Sequence, residues 1–161
     1  MADFDPAVAK TLIREGGARF TDNPDDHGGP TKYGVSQNAY PNVDIRNLSE
    51  DQAKAIYKRD YWDKVSGDTL KSQAVAENIF DTAVNMGPTT ATKLVQVTLD
   101  LDVDGRFGPA TAKAVNASDE SEFLAGFTLA KVARYAAICN KDRTQSKFLL
   151  GWINRALGSA S

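Results

Sequence analysis

Apolar side chains recur along most of this 161-residue chain at three- and four-residue intervals, the spacing that lines one face of an α-helix. Val8, Leu12 and Ile13 mark a first helix. Asp5-Pro6 opens it with a capping side chain and then proline at the first helical position, and Gly16-Gly17 closes it. Ser49-Glu50-Asp51-Gln52 is a capping box for a helix that turns Ala53, Ile56 and Tyr57 inward and ends near Trp62. Ser72 caps a helix with Val75, Ala76, Ile79, Ala83 and Met86 inside, stopped by Gly87-Pro88. Ala91, Leu94, Val95, Thr98 and Leu99 form the next. Asp104-Gly105 makes a turn, and Pro109 restarts a helix to about Val115. Phe123, Leu124, Phe127 and Ala130 begin a long helix running past Tyr135, and Phe148, Leu149, Trp152, Ile153 and Ala156 share a last one.

The period fails between residues 17 and 35, where glycine and proline cluster. That stretch predicts a functional loop with a short hairpin pairing Ala18–Phe20 with Lys32–Val35. The pattern as a whole predicts a mainly α fold with a small β-hairpin near residues 18–35. No linker or low-complexity segment interrupts it, so a single domain over 1–161 is expected.

Composition narrows the function classes. A 42% hydrophobic content supports a real core. The net charge of −2 gives no overall attraction to nucleic acid, and a monomer is expected. Charge is unevenly spread: residues 1–30 carry three basic and six acidic side chains, residues 131–161 six basic and one acidic. The basic end reads as a solvated helix face, or as weak contact with an anionic surface such as a cell wall or membrane. Cys139, the sole cysteine, lies in an apolar helical pattern and reads as a buried inert thiol. A zinc site needs several partners, and His27 is the sole histidine, so neither metal nor cofactor is expected. No run approaches 18 apolar residues, and the start is acidic rather than a basic signal sequence, so the chain is expected to be made in the cytosol without a signal peptide.

The failed period is where chemistry is concentrated. Glu15 stands at the end of the first helix, followed by a glycine joint; Asp26 and Thr31 return after the loop, flanked by glycines. An acid, a second carboxylate and a water-holding hydroxyl are the parts that cleave a glycosidic bond. A general acid at neutral pH needs a raised pKa, which burial and the negative end of a helix dipole both favour. The same residues also fit an exposed glutamate before a connecting loop. Tyr33, Tyr40, Tyr57, Tyr61, Trp62 and Tyr135 could form a sugar-stacking wall, with Tyr57 and Trp152 expected in packing and Tyr33, two residues from Thr31, facing a cleft. Asp81 and Asn85 lie one turn apart on one helix face and suit bracing of a helix end. Asp100-Leu101-Asp102-Val103-Asp104-Gly105 matches half of an EF-hand loop, but its twelfth position is Thr111 instead of a bidentate glutamate, which favours a plain turn.

Glu15-Gly16-Gly17 followed by Asp26-His27-Gly28-Gly29-Pro30-Thr31-Lys32-Tyr33-Gly34-Val35 resembles the signature of glycoside hydrolase family 108, phage endolysins and bacterial muramidases with a lysozyme-like helical fold. Asp81 to Gly87, Leu94-Val95-Gln96, Asp104 to Thr111 and Phe148 to Arg155 resemble further blocks of that family, in order. The spacer from Glu15 to Asp26 is slightly longer than the family's, so Asp22 or Asp25 is an alternative second carboxylate. The resemblance implies a two-lobed muramidase with residues 88–117 as an integrated peptidoglycan-binding helix-turn-helix. Glu15 would be the acid, Asp26 and Thr31 would position water, and Tyr33, Asp81, Asn85 and Tyr135 would contact substrate, the Asp81–Asn85 pair by binding an N-acetyl group. Peptidoglycan would be the partner, reached in the periplasm through a holin pore. A non-hydrolytic wall-binding or secretion-assisting module and a lytic transglycosylase are the competing readings.

Overall fold

The computed structural model describes residues 1–25 and 27–160. Seven α-helices among them carry the fold: α1 (Phe4–Arg14), α2 (Glu50–Tyr57), α3 (Gln73–Met86), α4 (Pro88–Thr98), α5 (Pro109–Ala117), α6 (Glu120–Lys141) and α7 (Leu149–Ala160). Two short strands, β1 (Thr31–Lys32) and β2 (Val35–Ser36), pair antiparallel, Thr31 with Ser36 and Lys32 with Val35. The fold is mainly α with one small antiparallel hairpin, as the periodicity predicts.

α3 lies at the centre, against α1, α4, α6 and α7. Its position follows from its sequence: Val75, Ala76, Ile79, Phe80 and Ala83 are all buried, so it is apolar on more than one face. Ser72 accepts from the amide of Val75, as expected, and Gly87 leaves the helix at a φ of 88°. The capping box of α2 forms in full, Ser49 accepting from Gln52 and Gln52 from Ser49. Beyond Tyr57 the helix widens into a π-turn at Lys58–Trp62. That turn sends Trp62 into the core against Phe4 and Phe80, at ring separations of 5.6 and 5.5 Å.

Three expectations are corrected. α1 is capped by Asp3, whose side chain accepts from the amide of Asp5, so the helix begins two residues earlier than the Asp5-Pro6 signal suggests. Ile13 is exposed, since Val8, Ala7, Thr11 and Leu12 already fill the inward face. The hairpin is tighter than expected: β1 pairs with β2 through Tyr33-Gly34, and Ala18–Phe20 is no strand. The incoming loop touches the hairpin through a bridge between Thr21 and Thr31 and a bond from the Tyr33 amide to the Gly17 carbonyl.

Candidate active site

Glu15 is the C-cap of α1, and the two glycines after it take φ values of 95° and 58° that reverse the chain. The hairpin tip then returns onto the acid. Tyr33 and Gly34 both have positive φ, 54° and 75°, the signature of a two-residue type I′ turn. At Gly34 a Cβ would lie 2.8 Å from Cβ of Glu15 and 2.4 Å from the Tyr57 hydroxyl, so only glycine fits between acid and phenol. Tyr57 is buried and donates from its hydroxyl to the Tyr33 carbonyl at 2.9 Å, holding Tyr33 in its left-handed conformation. Its ring rests on Phe80, which ties the hairpin tip to the aromatic core. Burial, then the charge of Glu15, pushes the Tyr57 phenol upward from its ordinary pKa, so it remains a donor.

Glu15 is half-buried and ion-paired. Its Oε1 accepts from Nη2 of Arg155 at 3.2 Å. The same nitrogen reaches Oδ1 of Asp81 at 3.0 Å, and Nε of Arg155 reaches Oδ2 at 3.4 Å. Arg14 donates to Oδ1 of Asp81 from the other side. Three helices, α1, α3 and α7, therefore meet in one charge network. Burial works against the Arg155 cation, and the bonds and charge of Asp81, then of Glu15, outweigh it, leaving its pKa raised. The expected burial at a helix end is met in part, since Glu15 is half-buried at the C-cap of α1, and the structure adds a guanidinium beside it that the sequence does not reveal.

A pocket of about 80 Å³ opens at Glu15, walled by Gly34, Tyr40, Ile56, Tyr57, Tyr61 and Val84. At about 30 Å³ per water, its volume matches two or three waters or a group of similar bulk. The Tyr40 hydroxyl donates to Oδ2 of Asp60 at 2.9 Å; burial and then this bond push the Tyr40 phenol up. Asp60 is held low by hydrogen bonds from Arg59. Tyr57 and Tyr61, four residues apart across the junction of α2 and the π-turn, share this wall with their rings 5.6 Å apart, and such turns often accompany functional sites.

The other expected residues are distributed unevenly. Thr31 is half-buried on β1, and its hydroxyl donates to the Gly29 carbonyl at 2.9 Å, leaving its lone pairs to accept. Asp26 lies outside the described residues; Asp22 and Asp25 are exposed on the loop. Tyr33 is half-buried at the hairpin tip. Asp81 is buried and committed to two arginines, which makes it a clamp for Arg155 and Arg14. Asn85 and Tyr135 line a different cavity of about 180 Å³ with Arg134 and Trp152, where Trp152 stacks on Tyr135 at 5.4 Å. Asp81 and Asn85 thus face different cavities, although one turn separates them. Trp62, Tyr57 and Tyr135 are buried, so Tyr33, Tyr40 and Tyr61 are the parts of the aromatic wall with exposed surface. Trp152 is only half-buried, less a packing residue than its spacing implies.

Sequence reasoning missed Arg14 and Arg155 as site residues. Arg155 closes one of the blocks read from sequence, but nothing local reveals its partner 140 residues away. Asp104 bonds Gln96 and the Arg106 amide through Oδ1, and Gln96 also binds the Gly105 amide, so the half EF-hand sequence is a turn built around a buried glutamine.

Residues 8–87 match the family described as Glycosyl hydrolase 108, and residues 85–157 the family described as Predicted Peptidoglycan domain. Among solved structures, SagA of Brucella abortus superposes with a TM-score of 0.80 at 28% identity, over 98% of this chain and 91% of that one. A comparison with curated proteins gave no match.

Proposed function

This chain belongs to the glycosyl hydrolase 108 family and is a glycoside hydrolase acting on peptidoglycan, and from that premise we propose that it is a muramidase cleaving the β-1,4 bond between N-acetylmuramic acid and N-acetylglucosamine. The observation that carries this reading is Glu15 at the mouth of a small pocket, clamped by Arg155 and pressed by Gly34.

In this reading Glu15 protonates the leaving oxygen, and Thr31 with Asp26 holds water or stabilises the oxocarbenium-like transition state. While Glu15 carries its proton the Arg155 cation is balanced by Asp81, and once the proton has passed to the leaving oxygen the same guanidinium pairs with the Glu15 carboxylate. Tyr33, Tyr40 and Tyr61 border the bound sugars, and Asn85 with Tyr135 receives a more distant part of the strand. On the family resemblance, the reading extends to an endolysin released to the periplasmic wall through a holin.

Glu15→Gln keeps shape and removes the acid, so release of reducing ends from purified peptidoglycan should fall by about a thousandfold or more, the scale of lost general-acid catalysis together with lost charge stabilisation. A folded Glu15→Gln protein that still digests the wall overturns the assignment. Muropeptide masses separate the competing products: hydrolysis adds about 18 Da, one water, relative to the anhydro ends of a lytic transglycosylase. Wall binding without any cleavage would instead make the chain a non-hydrolytic module.

A further inference from the structure

A larger groove, about 630 Å³, runs along α5 opposite Ser66, Thr69 and Lys71. Pro109, Ala112 and Ala117 give it a floor of small apolar groups, and the exposed ammonium groups of Lys71 and Lys113 stand on it. Neither lysine takes part in an ion pair among the described residues.

The two walls are tied together. Ser66, in the left-handed conformation at a φ of 51°, donates from Oγ to the Phe107 carbonyl at 3.2 Å. Asn116 donates to the Thr69 carbonyl at 2.9 Å and accepts from the Lys71 amide at 2.8 Å. Such cross-bracing makes a preformed site, which binds without the cost of ordering a loop.

The lining selects the ligand. No aromatic ring lines the groove, so a pyranose has no face to stack on. No carboxylate lines it either, and two uncompensated cations favour an anionic guest. Small apolar floor and paired cations together suit a short acidic peptide with methyl side chains. Peptidoglycan carries such a peptide, rich in alanine and bearing several carboxylates, on each muramic acid. α5 also falls within the residues that match the predicted peptidoglycan family. We propose that this groove binds the stem peptide of peptidoglycan, Lys71 and Lys113 pairing with its carboxylates. The inference rests on the reading that peptidoglycan is the substrate.

The test uses two soluble probes, the free tetrapeptide L-alanyl-γ-D-glutamyl-diaminopimelyl-D-alanine and chitotetraose, titrated into the isotope-labelled protein. The amides of Lys71, Lys113 and Asn116 should shift with the peptide and stay in place with the sugar. A Lys71→Glu/Lys113→Glu variant should melt like the wild type and lose those shifts. Its KM on intact peptidoglycan should rise roughly tenfold at unchanged kcat, the scale of two exposed charge pairs reversed to repulsion. On glycan strands stripped of stem peptides by an amidase, its activity should equal that of the wild type. Peptide shifts that are absent or lie elsewhere overturn the proposal, as does a variant impaired equally on stripped strands or unimpaired on intact wall. A protein that cleaves neither substrate removes the muramidase reading, while the peptide titration still decides the groove.

Discussion

Nη2 of Arg155 on α7 lies 3.2 Å from Oε1 of Glu15 at the C-cap of α1, so the last described helix holds the acid that ends the first. The same guanidinium grips both oxygens of buried Asp81, which makes the Glu15 position depend on the docking of α7. Arg155→Lys keeps the charge but cannot span both carboxylates with a planar fork. It should lower kcat about tenfold to a hundredfold, as expected for a misplaced acid, and cost about 1–3 kcal/mol of stability from the imperfectly paired Asp81. Steady-state kinetics with a urea midpoint on the same sample reads both.

Gly34 is the second control on the acid. Gly34→Ala forces a Cβ toward the Tyr57 hydroxyl and Cβ of Glu15 at a positive φ, so it should destabilise by roughly 2–4 kcal/mol and reduce activity. Gly17→Ala meets nothing within 4 Å and carries only the conformational cost of about 1–2 kcal/mol. Thermal melts of the two variants should rank in that order.

Lys131 sets an alkaline dependence. It is buried on α6, bonded to Oδ1 of Asn78 at 2.8 Å, and burial pushes its pKa down to about 8. Asp81 raises it, and Arg155 and Arg14 lower it further. Because the folded pKa lies below the unfolded one, the unfolded chain binds more protons between about pH 8 and 10.5. The penalty for burying the cation is therefore full below pH 8 and fades as pH rises through that window. Relative to Lys131→Met, the wild type should gain about 2–3 kcal/mol from pH 7 to pH 10.5. Urea midpoints of both proteins at the two pH values check the sign.

Gln96 staples the turn at 104–106 from a buried position, bonding the Gly105 amide, Oδ1 of Asp104 and the Arg106 carbonyl. Gln96→Leu strands those groups and should cost about 2–3 kcal/mol, loosening α5 with it. Chemical denaturation together with amide exchange at Gly105 would show this.

Much of this protein is local and was therefore legible. The capping box at Ser49, the cap at Ser72, the stop at Gly87 and most of the inward faces of α2 and α3 follow from spacing, because helix periodicity and capping act within a few residues, whereas α4 buries Thr92 and Gln96 beside the expected Ala91 and Val95 and leaves Leu94, Thr98 and Leu99 half-buried. Glu15 and its glycine joint stood out for the same reason. The expected hairpin differs from the observed one because Tyr33-Gly34 is a weak turn signal, and the hydroxyl of Tyr57 that bonds the Tyr33 carbonyl at its positive φ comes from 24 residues further along the chain. Lys131 looked like part of a solvated basic face until α6 packed on α3 and enclosed it. The clamp on Glu15 could not be read at all: Arg155, Asp81 and Arg14 meet only when α1, α3 and α7 pack together. The order and type of the helices thus came from side-chain pattern, whereas the charge network, the floor of the pocket and the braced groove on α5 were decided by long-range packing, since each joins groups whose attraction acts only once the chain has brought them within a few ångströms.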